Sequence, residues 1–321
     1  VIIDIHVHLA GNNPANGNHF NPEIFRGLAL KSFLRVLKID RAAMAEPRGE
    51  ELARERLLAM LNESVVDRAV LFAFDSIHRE DGAPEREKCG MITSNSYIAK
   101  VCRENPKCLF GASVHPFRKD ALEALEEAAA SGACLVKWLP SGQCIVPDHP
   151  KCHKFYDKLA ELKLPLLSHC GEEHVFRCAG SSMLNDPERL TPALERGVTV
   201  IAAHCGVRIL PFDLSFHDKW RAMALKCPNF YGDISAFGLP FRNATLKDLL
   251  RHPELLEKLV YGSDFPLETV TPVFLFSLGL RKTIEISRVK NLFDKAYLTL
   301  KHCGLPDAVF TRASKLLRLP R

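Results

Sequence analysis

The sequence has no apolar run near the ~20 residues that a membrane-spanning helix needs. Its longest candidate, Pro272–Leu280 (PVFLFSLGL), is less than half that length, so no membrane partner is expected. It has no basic block either. The 43 Lys and Arg stand against 38 Asp and Glu, and a scattered net charge of +5 gives no reason to expect nucleic acid. No C-x-x-C pair occurs. The 11 cysteines lie singly and are odd in number, which favours reduced thiols and a cytoplasmic setting over a disulfide framework. No secretory n-region and h-region precede the first apolar segment, although the sequence begins at Val1 without Met. No G-x-G-x-x-G and no P-loop follows any strand-like segment, so nucleotide phosphates have no cradle.

What is there is a set of imidazoles and one carboxylate. His6, His8, His169, His204 and Asp264 each end a short apolar segment that reads as a strand: VIIDIHVH, LPLLSH, VTVIAAH and LVYGSD. In a strand, residues i and i+2 share a face, about 6.6 Å apart over two rises. His6 and His8 at that spacing can converge on one ion, whereas a helix would point them to nearly opposite sides. Ile3, Ile5 and Val7 alternate with Asp4, His6 and His8, which favours the strand and puts the polar row on one face. Such a gathering suggests a bound divalent metal, and a metal-activated water is the reason to build it.

The rest of the chain alternates in the same rhythm. Strands are predicted at Val1–His8, Arg68–Phe74, Leu109–Val114, Cys134–Leu139, Pro165–His169, Val198–Ala203, Asn229–Ile234 and Leu259–Gly262. Helices are predicted near Phe25–Lys38, Gly49–Glu63, Met91–Glu104, Lys119–Ala130, Lys151–Lys163, Pro187–Glu195, Phe212–Lys226 and Ala244–Lys258. The tail from Thr271 is read as helical throughout, closing with Ala308–Leu317. Eight strands alternating with helices predict an α/β fold of the (β/α)8, or TIM-barrel, kind, with residues 1–321 as one domain. Catalytic groups in such barrels sit at the C-terminal ends of the strands. Besides the five side chains above, His115, Lys137 and Asp233 fall there.

On these residues the sequence resembles the amidohydrolase superfamily, in particular its amidohydrolase-related branch. The resemblance is carried by D-x-H-x-H (Asp4, His6, His8) and V-K-x-x-P (Val136, Lys137, Pro140). It is carried also by the strand-five His169, by A-H-x-G (Ala203, His204, Gly206) and by G-S-D-x-P (Gly262, Ser263, Asp264, Pro266). It runs from the first strand to the last and is uninformative about substrate. It implies that His6, His8, His169 and Asp264 bind one divalent metal, with zinc the first candidate. It implies that His204 stays off the metal to polarise the substrate or orient the attacking water, and that Asp264 also acts as general base. A carboxylated Lys137 would instead bridge two ions, with His169 and His204 on the second; otherwise Lys137 pairs with a carboxylate or an anionic substrate group.

Several residues keep two readings. His115 lines the mouth or caps a turn, and Arg208 meets a substrate carboxylate or a surface acid. Glu172, Glu173 and His174 reach substrate or form a solvated loop. Asp233 is placed as a hydrogen-bond partner of a ligand histidine. Cys170 and Cys205, each after a site histidine, are expected to turn away by alternation and pack. The Asn-rich insertion Gly11–Pro22 forms a lid or a contact in a homo-oligomer. The leading expectation is a metal-dependent hydrolase of a small molecule, cleaving the C–N or C–O bond of an amide, lactam, ester or lactone. The alternatives are a non-oxidative decarboxylase or hydratase on the same barrel, with Lys137 or Arg208 holding the departing carboxylate, and a non-catalytic barrel that binds metal or ligand.

Overall fold

Parallel strands with apolar faces on both sides bury themselves only when helices cover them, and closing the sheet removes its edges. The computed structural model, which describes residues 1–21, 28–175 and 182–319, has this arrangement. Its strands are β1 (Ile3–His8), β2 (Arg68–Phe72), β3 (Cys108–Ala112), β4 (Ala133–Trp138), β5 (Leu166–Ser168), β6 (Val200–Ala202), β7 (Phe230–Asp233) and β8 (Leu259–Val260). They pair in sequence order, all parallel. The sheet closes between its first and last strands: Ile5 N–H donates to Tyr261 O at 3.1 Å, Asp264 N–H to His6 O at 3.0 Å and His8 N–H to Phe265 O at 2.9 Å. The fold is the predicted (β/α)8 barrel.

Inside the barrel lies a cluster drawn from all around the sheet, including Ile3, Ile5, Val70, Leu135, Leu167 and Val260, with Leu317 of the C-terminal tail packed against it. Simple alternation along β1 does not hold. Asp4 pairs with Ala69 and Val7 with Leu71, so β1 carries one extra residue between them. That irregularity is a β-bulge, which resets which side chains face inward. Ile3 and Ile5 therefore join the interior cluster, and only Val7 joins the outer core under the helices. Past the bulge His6 and His8 still share a face. Asp4 does not join them: its Oδ1 accepts from the N–H groups of His6 (3.0 Å) and Ser263 (2.9 Å), tying the bulge to the segment after β8.

Helices cover the outside, with several bounds differing from those read in the sequence. The first, α1 (Leu28–Leu37), begins where the described residues resume; the start predicted at Phe25 lies outside them. The next long one, α2 (Pro47–Glu63), comes after a single turn at Arg41–Met44 and is followed after β2 by α3 (Asn95–Glu104), which starts at a Ser94 cap. Met91–Ile92, expected in that helix, instead pairs antiparallel with His19–Phe20. The segment predicted as Phe212–Lys226 is helical only over His217–Lys226. Pro253 divides the next into Asn243–Leu249 and Pro253–Leu256, because proline lacks the N–H that would continue the ladder. The tail is helical in pieces, over Leu275–Ser287, Leu292–His302, Asp307–Thr311 and Ala313–Leu316. No described helix is long and apolar enough to cross a membrane.

The Asn-rich insertion after β1 is a built loop. Glu50 of α2, buried, accepts from Asn13 N–H (2.9 Å), Asn16 Nδ2 (2.5 Å) and Asn18 Nδ2 (2.9 Å). Asn18 Oδ1 in turn accepts from Ser94 N–H at 2.7 Å. Replacing Glu50 with Ala takes this partner from the buried Asn18 amide and from the half-buried donors of Asn13 and Asn16. We expect Glu50→Ala to lower unfolding free energy by about 3 kcal/mol in urea titration; a loss below about 0.5 kcal/mol would mean that water replaces the carboxylate freely.

Candidate metal centre

The barrel seam is also where the predicted site residues meet. His6 and His8, at the end of β1, face Asp264, four residues past β8. His6 Nε2 lies 3.4 Å and His8 Nε2 3.3 Å from the same oxygen, Asp264 Oδ1. Tetrahedral donors on bonds of 2.0–2.1 Å stand about 3.3–3.4 Å apart, so this spacing fits the donor set of a zinc-sized ion. Two groups of potential ligand atoms, each within 4.8 Å of one another, occur among the described residues: His6–His8–Asp264 and His6–His204–Asp233. The second works as a hydrogen-bond network, because its His6 contact uses the ring nitrogen turned away from Asp264.

That network fixes the tautomers through the partners of each ring nitrogen. Asp233 Oδ2 accepts from His6 Nδ1 at 2.7 Å, so His6 turns its Nε2 lone pair toward Asp264 and Lys137. Asp233 Oδ1 accepts from the N–H groups of His204 (2.8 Å) and Ser235 (3.0 Å) and from the Ser235 hydroxyl. With its one proton given to Asp233, Ser235 Oγ receives the Nδ1 sides of His6 and His204 at 3.0 and 2.8 Å. His204 Nδ1 also lies 3.1 Å from Ser235 O, a pure acceptor. Its Nδ1 therefore carries the proton and its Nε2 is an acceptor.

Burial sets the charges. It lowers the His6 pKa, with Lys137 adding to the shift, holds His204 well below the ordinary value and pushes His169 down to about 3, so these rings are neutral, as metal ligands must be. Burial works against ionisation of Asp233 and Asp264, but the neighbouring histidines overcome it, and both carboxyls lie below the usual range. Lys137, 3.3 Å from His6 Nε2 and over the face of Phe72, is pushed down to about 8 by the same desolvation.

Close packing and strain mark the site. A Cβ added at Gly262 would lie 2.8 Å from His6 Cβ, so only glycine lets the segment after β8 pass this close to β1. His204 (φ 57°), Cys205 (φ 49°) and Asp264 (φ 66°) all take left-handed backbone. Each costs about 1–3 kcal/mol and persists where the surroundings over-determine it. The cysteines pack, yet at Cys205 this turn, and not strand alternation, is the cause: its Sγ donates to Asp233 O at 3.2 Å, and burial holds its thiol well above the ordinary pKa.

The other predicted residues divide. His169 and His204 meet edge to face at 5.0 Å and line one cavity with His6, His8, Lys137 and Asp264. His169 belongs to neither ligand group; its Nε2 lies 3.4 Å from Glu172 O and 3.7 Å from Glu173 Oε2. Glu173 and His174 line the same cavity, while Glu172 accepts from the Ser182 hydroxyl at 2.6 Å. His115 does not line it. Buried, its Nε2 donates to Gln143 O and its Nδ1 accepts from Phe117 N–H, so both nitrogens cap a turn. Arg208 is exposed and donates to Pro211 O, outside the cavity.

The buried guanidinium is Arg242, which sequence reasoning missed. It donates to the carbonyls of Ser235 (3.3 Å) and Val207 (3.0 Å), and burial pushes it down to about 10. Ser235, two residues past Asp233, was missed as well.

Asp233 holds the ring of His6 from behind. We expect Asp233→Asn to weaken zinc affinity 10- to 100-fold in a competition titration with a chromogenic chelator, because the carboxamide offers no charge to orient the imidazole. Unchanged affinity would assign Asp233 to the fold alone.

The family model described as Amidohydrolase matches residues 3–279. No curated protein matches the chain in sequence. Among solved structures, it is similar to an uncharacterized TIM-barrel protein from Bordetella bronchiseptica (18% identity, 94% of this chain and 99% of that one, TM-score 0.58). It is similar also to a provisionally described 2-pyrone-4,6-dicarboxylic acid hydrolase from Pseudomonas putida (16%, 99% and 94%, TM-score 0.53). A third is the Metarhizium anisopliae IDCase in apo form (14%, 95% and 97%, TM-score 0.50). At these identities the likeness is one of fold.

Proposed function

Since this chain belongs to the amidohydrolase family, we propose that it is a metal-dependent hydrolase that adds water across a C–N or C–O bond of a small carbonyl compound. The observation that carries this reading is the pair of imidazole nitrogens within 3.3–3.4 Å of one Asp264 oxygen. His6, His8 and Asp264 would hold one divalent ion, zinc by donor type. His169, whose Nε2 now faces Glu172 O, is the fourth candidate donor. When bound, such an ion supplies Lewis acidity, bringing a water's pKa to about 7 and polarising a carbonyl.

The chain's own groups do the remaining work. Asp264 takes a proton from the attacking water and delivers it to the leaving nitrogen or oxygen, while the hydroxyl is added to the carbonyl carbon. His204, with Nε2 an acceptor, orients that water; of its two expected roles this is the one its tautomer supports. Lys137 stands where a donor to the carbonyl oxygen is useful. The decarboxylase reading loses support for one of its two cations, because Arg208, exposed and bonded to Pro211 O, is not among the described residues that line the cavity.

The test is metal analysis of the purified protein together with turnover of amide, ester and lactone panels. About one zinc per chain and hydrolysis abolished by chelation is the expected result. Release of carbon dioxide without consumption of water would replace hydrolysis by decarboxylation. Two ions with a mass increase on Lys137 would replace the single-ion scheme.

A further inference from the structure

The cavity at the metal centre has two unlike ends. At one, the histidines stand with Lys137, Glu173 and Asp264. The other is hydrocarbon. Leu30, Leu34 and Leu37 lie on one face of α1, at intervals of four and three residues, and are buried. They line this end with Phe33, Met44 and Leu57. This face packs into the outer core and at the same time borders the cavity.

The size of that space and its chemistry restrict what fits. The cavity measures about 150 Å³. Apolar cavities of about that volume stay dry and accept a benzene-sized group. Among the described residues Lys137 is the only Lys or Arg in the lining, and it stands at the histidine end beside His6. A carboxylate or phosphate carried into the hydrocarbon end would lose its hydration and find no counter-charge among the described residues.

We propose that the substrate is a neutral carbonyl compound with a compact apolar body, such as a benzene ring or a chain of about six carbons, seated against α1 with its carbonyl toward Asp264. This rests on the hydrolase reading of the same site. Specificity then comes from α1, and a charged group on the substrate's body is rejected.

The test separates the two claims. Binding of acetamide, butanamide, hexanamide, benzamide and glutarate to the zinc-loaded protein is measured by ligand-observed NMR. Hydrolysis of the matching acyl p-nitroanilides and p-nitrophenyl esters is followed in parallel. Affinity is expected to rise about fourfold per methylene up to about six carbons, with benzamide near the top and glutarate not competing. Leu34→Trp is expected to remove the gain beyond about three carbons, and Leu34→Ala to shift the optimum to longer chains. If Leu34→Trp does not fold, the shift in Leu34→Ala decides. A flat length dependence in wild type, or glutarate bound more tightly than hexanamide, overturns the proposal. Length-dependent binding without turnover of any acyl compound leaves it standing and removes the hydrolase reading. Turnover without length dependence does the reverse.

Discussion

Asp264→Asn is expected to lower kcat/KM by about 10³–10⁴-fold on any substrate the wild type hydrolyses. General base catalysis alone is worth about 10²–10⁴, and the substitution also removes the charge that faces His6 and His8 across 3.4 and 3.3 Å. Asn keeps the shape of Asp and tolerates left-handed backbone, so the fold at φ 66° survives. Measuring zinc content beside turnover separates the two losses. A variant that retains metal and loses turnover assigns the proton transfer to Asp264. One that loses both at low zinc and regains turnover at high zinc makes Asp264 a ligand only. Activity above a tenth of wild type with zinc bound would remove Asp264 from the chemistry.

The second large effect is on stability as pH falls. His115 and His169 are each pushed down to about 3, chiefly by burial. Their ordinary value is about 6.5. For a histidine with a depressed folded pKa, the unfolded chain binds the proton first. The stability contribution is therefore complete above the unfolded pKa and is lost as pH falls from about 6.5 toward the folded value. Between pH 7 and pH 5 each group costs about 2 kcal/mol, or about 4 kcal/mol together. Urea titration of metal-free protein at the two pH values measures it, and His115→Gln should remove about half of the slope. A flat profile over that interval would mean that one or both rings open to solvent.

Much of the barrel was legible because its period is simple. Strand and helix alternate along the sequence, and the site histidines fall at strand ends. What was not legible came from local departures from that period. The bulge in β1 sends Ile5 and His6 to the same side, which strict alternation forbids. His204 and Cys205 sit in left-handed turns past β6, so their directions follow no strand rule. Ser235 meets Asp233, His6 and His204 through its hydroxyl and Arg242 binds backbone carbonyls, and neither contact follows from a spacing in the sequence. Arg208 and Arg242 are alike on paper; only the path of the chain after β6 and β7 decides which one is buried. The split at Pro253 had a signal, since proline ends helices, and the continuous reading Ala244–Lys258 passed over it.

The seam between β1 and β8 has a consequence for how the chain matures. Donors from positions 6 and 8 await an oxygen from position 264, more than 250 residues later on the ribosome. A nascent chain therefore carries two early imidazoles long before the carboxylate that faces them emerges with the final staves of the cylinder. On the proposed reading of the site, the pair of imidazoles gains its carboxylate oxygen only once the first and last staves of the cylinder have met.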